Sequence, residues 1–386
     1  MIAYDKSLLE NTFLYERATL LNQQGFVSQS QLNTIKQKLA ILKNHHSMLI
    51  RIGFFILGCI LYSSFIGVLA LFTIGIIDSH FWIPLLLNTI LGYVISEFLA
   101  KSQQQFRYGL DDAFILGFQG FFCTTIGVLF NSTLAGLIAM SVIGLFACLR
   151  YVHTLSILVS LVGISSAIAY SVMELKLLSS AFLPFLMLVL ALLFYYSSVK
   201  LKKNSNYIYY ENAVLLTDGF SLVLGYLSMN YLVVRELSET LLGLTIAKGA
   251  DIPFAFLFYG FTVLVPILYL VYALISKNRL MLIVGFLAFG FSIFTFRFYY
   301  SILPIEVASV VGGIILFGIA YLTIKKLKNK TSGLTFEPDR SSQTDWLGTI
   351  ETILVTTQSN VHPSQTESSM PFGGGGFSGG GAGDGF

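Results

Sequence analysis

The stretch 52–77, IGFFILGCILYSSFIGVLALFTIGII, decides the fold: it is 26 residues long and holds no charged side chain. A helix rising 1.5 Å per residue needs about 20 such residues to cross a hydrocarbon core of about 30 Å. Inside lipid, each backbone N–H and C=O must be satisfied within the protein, which makes an α-helix the form open to one apolar run. Working outward, nine further segments read the same way: 81–100, 113–130, 133–149, 154–172, 179–198, 213–230, 254–276, 280–298 and 303–324. The fold class is therefore all-α, a polytopic transmembrane helical bundle of about ten spans. The chain divides into an N-terminal helical hairpin (1–48), a transmembrane domain (49–326) and a tail (327–386).

Composition agrees. Hydrophobic residues make up 55% and charged residues 11%, whereas a soluble domain carries about a quarter charged residues. The net charge of +3 is too small and too scattered for a nucleic-acid partner. Cys59, Cys123 and Cys148 lie in apolar runs without CxxC spacing or a neighbouring histidine, so neither a metal site nor a disulfide framework is expected. No nucleotide-binding GxxxxGK[ST] and no HExxH is present, and no cofactor is implied. Because the first ~48 residues are polar, the first span is expected to act as an uncleaved signal-anchor.

Orientation follows from the cations. With the N-terminus in the cytoplasm, all of the 23 Lys and Arg residues but Lys176, Arg235, Lys248 and Arg297 fall on the inner side. An odd span count would scramble that alternation, so both ends are expected in the cytoplasm. The pairs Phe81–Trp82, Tyr195–Tyr196, Tyr209–Tyr210 and Tyr299–Tyr300 fall at the expected interfaces, as an aromatic belt should.

The ends differ in kind. Leu8, Leu9, Phe13, Leu14, Leu20 and Leu21 give a first amphipathic helix that stops at Gly25. A second opens at Ser28, with Gln31 completing a capping box, Val27 and Leu32 placed as a hydrophobic staple, and Leu32, Ile35, Leu39 and Leu42 as its apolar stripe. A hairpin this small cannot bury a sufficient core alone, so it is expected to dock on the membrane domain or on a protein partner. The tail is rich in Ser, Thr and Gln, with one apolar helical patch at Trp346, Leu347, Ile350, Ile353 and Leu354, and it ends PFGGGGFSGGGAGDGF. Glycine backbone entropy opposes a stable fold there, and Phe372, Phe377 and Phe386 offer a linear motif to a protein partner.

Gly25-Phe-Val-Ser-Gln-Ser-Gln-Leu, Gly109-Leu-Asp-Asp-Ala and the Phe-punctuated glycine terminus resemble uncharacterised bacterial multi-span membrane proteins, grouped as domains of unknown function. The resemblance implies a bacterial inner-membrane location and membrane lipid as the surroundings, and it imports no activity.

Charges in spans cost about 2.5–3.5 kcal/mol each at a helix centre, so each marks a candidate site. Glu97 ends span two beside Lys101, Asp111 and Asp112 enter span three, and Asp218 lies in Leu-Leu-Thr-Asp-Gly-Phe of span seven. Asp111 and Asp112 suit a helix first turn, where acids meet free N–H groups. Asp218 has apolar sequence on both sides and is expected to face the bundle interior, paired or protonated. The five histidines fall in loops or tails, so Gly163-Ile-Ser165 has no base that would make it a nucleophile turn. The residues support a carrier of a small molecule or ion, or a scaffold, with a lipid-modifying enzyme using the inner-leaflet carboxylates as the alternative.

Overall fold

The structure is a computed structural model that describes residues 2–23, 25–44, 48–76, 80–174, 179–204, 207–242, 251–300 and 305–328. The tail beyond 328, with its Trp346 patch and Phe/Gly terminus, lies outside the described residues.

Two helices precede the bundle, α1 (Lys6–Gln23) and α2 (Gln29–Lys38). The bundle continues with α3 (Met48–Thr73), α4 (Trp82–Lys101), α5 (Leu110–Leu129), α6 (Thr133–Tyr151) and α7 (Thr154–Met173). A single 3-10 turn, Ser180–Phe182, then leads into α8 (Leu183–Leu201). The rest are α9 (Tyr207–Met229), α10 (Tyr231–Leu242), α11 (Ala255–Ser276), α12 (Arg279–Tyr300) and α13 (Ile305–Leu327). Among the described residues there is no strand, only an isolated parallel bridge between Lys43 and Gln105. Nine helices there are long and apolar enough to span a membrane. The 23-residue α13 lies over the tenth expected segment, 303–324. Each expected span therefore coincides with a helix, while the short α10 (Tyr231–Leu242) is an extra element between α9 and α11.

Small residues set the close helix contacts, as expected where lipid removes the hydrophobic drive between helices. A Cβ added at Gly144 of α6 would fall 2.6 Å from the Ser160 amide nitrogen of α7, and one at Gly163 2.7 Å from that of Ser141. The Tyr62 ring of α3 lies against Gly92 and Gly117, and its hydroxyl donates to the Asn88 carbonyl at 2.8 Å. In α11, Pro266 has no N–H to offer the carbonyl of Thr262 four residues back. That freed carbonyl instead accepts from Ser292 Oγ of α12 at 2.5 Å, the repair that lets a bundle keep a proline inside a span.

The N-terminal hairpin docks on the bundle. The α1 end closes as a Schellman motif: Gly25, at φ +79°, donates to the Asn22 carbonyl at 3.0 Å, and Phe26 to the Leu21 carbonyl at 2.9 Å. Ser28 and Gln31 form the capping box of α2, and Val27 and Leu32 pack in one cluster with Tyr15 and Ala18. Leu9 and Leu42 are buried against Phe106, Tyr151 and Tyr209 of the bundle. Backbone bonds tie the cap down: Ala3 N–H to the Arg150 carbonyl at 2.7 Å, and Phe106 N–H to the Lys43 carbonyl at 2.9 Å. Two expectations need correcting. The second helix ends at Lys38 with Leu39 as its extended C-cap, so Leu39 and Leu42 do not continue its apolar stripe, and Leu42 is buried from an extended segment instead. Leu14 and Leu21 are exposed rather than buried, because the docked face of α1 runs through Leu9, Thr12, Tyr15 and Ala18.

Candidate functional site

The four predicted acids are all drawn to one end of the bundle, and the structure supplies each with partners. Glu97, in the last turn of α4, receives the Arg150 guanidinium on both oxygens (Nη2 to Oε2 at 2.8 Å), the Tyr151 hydroxyl at 2.8 Å and Lys101 Nζ at 2.7 Å. Asp111 faces back to its helix start, where its Oδ1 accepts from the N–H groups of Gly109 at 2.9 Å and Tyr108 at 3.0 Å. Gly109 at φ +104° makes that tight entry possible, with the Arg51 carbonyl where a Cβ would go.

Asp112, on the next position, points into the bundle and takes both Nε and Nη2 of Arg51 at 2.7 Å. Its second oxygen lies 3.1 Å from His153 Nε2, a close approach without hydrogen-bond alignment. The chain continues inward: His153 Nδ1 sits 2.7 Å from Ser156 Oγ, which accepts from Gln119 Nε2 at 2.8 Å. All four residues are buried. Val152, left-handed at φ +51°, turns α6 into α7 and so delivers His153 to Asp112. That conformation is costly for a β-branched residue. His153 lies in a connection as expected, at the residue before α7 and without a side-chain cap bond, but the connection is interior and leaves it 4% exposed between α5 and α7. Ser156 is fully buried, so the line cannot meet a substrate.

Asp218 stands apart. It is fully buried in α9, and its two oxygens accept from Ser198 Oγ, one turn from the end of α8, and from Lys202 Nζ, which caps that helix. The lysine side chain keeps 35% of its surface, against 1% for the carboxylate. Asp218 is thereby interior and paired, as its flanking sequence required.

At the opposite bundle end lies a network that sequence reading missed. Asn230 donates to the Tyr226 hydroxyl at 2.9 Å and to Thr295 Oγ1 at 3.1 Å, Tyr226 meets Ser292 Oγ at 2.8 Å, and Tyr231 N–H donates to Thr262 Oγ1 at 3.0 Å. Above it Tyr231 stacks on Tyr259 with centroids 3.9 Å apart, and its hydroxyl bonds Asp251 and accepts from Arg235 at 2.8 Å. Burial, together with the Asp251 carboxylate, pushes the Tyr231 phenol above its ordinary value. Ser and Thr side chains barely register in hydropathy, and Asn230 falls at a span end where a polar residue is ordinary. The signal that could have found them is the polar run Tyr226, Ser228, Asn230 at the end of α9 facing Ser292 and Thr295 one turn apart on α12.

Fold and site together define a polytopic α-helical membrane protein with charge pairs clustered at one end of its bundle. Compared with known proteins, the chain matches no family model, no curated protein and no solved structure.

Proposed function

We propose that the protein is a non-enzymatic carrier of a small cation or proton, in which Asp218 is the binding carboxylate and Lys202 the resident cation that solute displaces. The observation that carries the reading is the buried Asp218 held by a half-exposed lysine. An ionised group at this depth is costly to keep, and such groups in bundles pair with one another along solute pathways. Lys202 can leave toward water, so the pair can open where Glu97, locked by two cations and a phenol, cannot. The same locking weighs against inner-leaflet acid–base chemistry by Glu97 or Asp112. The positive-inside count supports a cytoplasmic location for the lysine-rich end and both termini, and the resemblance supports a bacterial inner membrane.

The test is a thermal-shift screen of the purified protein in nanodiscs against Na⁺, K⁺, a pH series and cationic metabolites. A cation that stabilises the wild type and leaves Asp218→Asn unmoved supports the carrier; no shift across the panel overturns it. A scaffold is the second reading, favoured by Leu14, Leu21 and Phe26 exposed on the docked cap. Substituting all three with Ser and finding the same co-purifying proteins would remove it.

A further inference from the structure

A cleft of about 250 Å³ opens between α6, α7, the end of α8 and α9 at the lysine-rich end, with Leu201 and Thr217 beside the Lys202–Asp218 pair in its lining. Its walls are apolar, with Leu145 and Leu149 from α6, Ile157 from α7 and Val214 from α9, and its mouth carries Asn204 and the phenols of Tyr207 and Tyr210. Leu145 and Leu149 are also nearly half exposed on the outer face of the bundle, so the cleft is reached sideways, from lipid. Lys200 and Lys203, both exposed, adjoin in sequence the lining residues Leu201 and Asn204, and Arg17 of the docked cap is within electrostatic reach of Tyr207. The Tyr210 hydroxyl is committed to the Leu149 carbonyl at 2.9 Å, which fixes the wall rather than a ligand.

An apolar slot open to the acyl region, with cations at headgroup height, has the chemistry of an anionic phospholipid: chain inward, phosphate outward. We propose that this cleft binds one such lipid, with Lys200 and Lys203 meeting its phosphate and the α6–α9 groove taking an acyl chain. A free anion would have no use for the groove, and a zwitterionic lipid would gain little from the lysines. Neither Asp218 nor Lys202 lines the cleft, although Thr217 and Leu201 beside them do, so a lipid adduct and a cation-dependent thermal shift are read independently and either proposal can fail without the other.

The experiment is native mass spectrometry of the full-length protein in detergent micelles, titrated with dioleoyl phosphatidylglycerol, dioleoyl phosphatidylcholine or inorganic phosphate. Phosphatidylglycerol should form a one-to-one adduct that phosphatidylcholine and phosphate do not match. At about 1 kcal/mol per basic residue near the headgroups, the pair Lys200→Gln, Lys203→Gln should weaken that adduct about thirtyfold. Ala213→Leu, which fills the cleft wall, should abolish it. As a control, Lys36→Gln, Lys38→Gln removes the same charge from α2 and should leave binding unchanged. Equal weakening by the control pair, equal binding of phosphate alone, or an unchanged adduct in folded Ala213→Leu would each overturn the proposal. Should Ala213→Leu fail to fold, the two lysine pairs decide alone.

Discussion

At the scale of residues, what matters is who neutralises each buried charge. Asp218 is fully buried while Lys202 remains half in water, so the two halves of the pair are not equivalent. Removing the lysine strands an uncompensated carboxylate, which costs about 3–5 kcal/mol where both partners are buried, with the lower end suiting a partly exposed lysine. Removing the charge at Asp218 leaves Ser198 a partner and frees Lys202 to solvent. Lys202→Met should therefore destabilise by about 3 kcal/mol and Asp218→Asn by about 1 kcal/mol, with the double variant close to Asp218→Asn alone. Unfolding of the purified variants in mixed micelles reads this directly, and equal losses for the two single variants would refute the asymmetry. The acids themselves were legible in the sequence because a charge in an apolar run stands out. Their partners were not. Arg150 sits 53 positions from Glu97, and Arg51 61 positions from Asp112, and nothing in one sequence says which helices will be neighbours. His153 escaped for a related reason: a loop position in sequence became an interior one once α6 and α7 closed around it.

At the scale of elements, the docked hairpin is the part whose stability can be taken apart. Leu9 has no exposed surface and sits on Phe106 and Tyr209. Leu9→Ala should weaken docking by about 3 kcal/mol through lost burial and the cavity left behind. Proteolysis within 1–44 should then speed up while the spans stay protected; unchanged cleavage would show that the contact carries no docking energy. Two groups make the element pH-dependent. Asp5 caps α1, accepting from the amides of Ser7 and Leu8. The Ser7 hydroxyl and those amides hold its carboxyl below the ordinary range. A carboxyl lowered by folding stabilises the folded state above its unfolded value of about 3.9, and the benefit fades as pH falls through the lower folded value. Amide protection factors at Ser7 and Leu8, taken relative to the intrinsic exchange rate at each pH, should accordingly fall in acid, and Asp5→Asn should remove that acid limb. Tyr4 is the reverse case: burial, reinforced by Asp111 and Asp112, pushes its phenol well above the ordinary value. Its contribution is intact below pH about 10 and declines as pH rises beyond that, because the unfolded phenol ionises first. Tyr4→Phe should flatten the alkaline loss of protease protection. Local signals wrote this hairpin plainly into the sequence, since a Gly C′, a Ser/Gln box and a staple each act within a few residues. The misreading of Leu14 and Leu21 arose because α1 docks by a mixed face that includes Thr12, whose hydroxyl accepts from Leu42 N–H at 2.9 Å, a bond that also holds Leu42 in the extended segment after α2 rather than on its helical stripe.

At the scale of the molecule, the open question is which end of the bundle faces the cytoplasm, and the structure turns it into a sharp test. Arg51, Lys101, Arg150, Lys200, Lys202, Lys203 and Arg279 lie at or near helix ends that antiparallel packing brings together, whereas Arg235 and Arg297 lie at the other end. Cationic loops are retained on the cytoplasmic side, so the first group is expected inside. Lys203 and Glu239 are separated by one span, α9, whose 23 residues rise about 35 Å at 1.5 Å each. If α9 crosses the membrane, those two positions must lie on opposite sides, whatever the orientation of the whole. In a background with Cys59, Cys123 and Cys148 replaced by Ala, a membrane-impermeant maleimide applied to intact cells should label Glu239→Cys and spare Lys203→Cys, with both labelled after lysis. The inverse pattern would turn the protein over and put the charge cluster, its cap and the lysine-flanked cleft on the outer face. Labelling of both in intact cells would go further, because it would deny that α9 spans, and a buried Asp218 would then no longer be a charge at membrane depth.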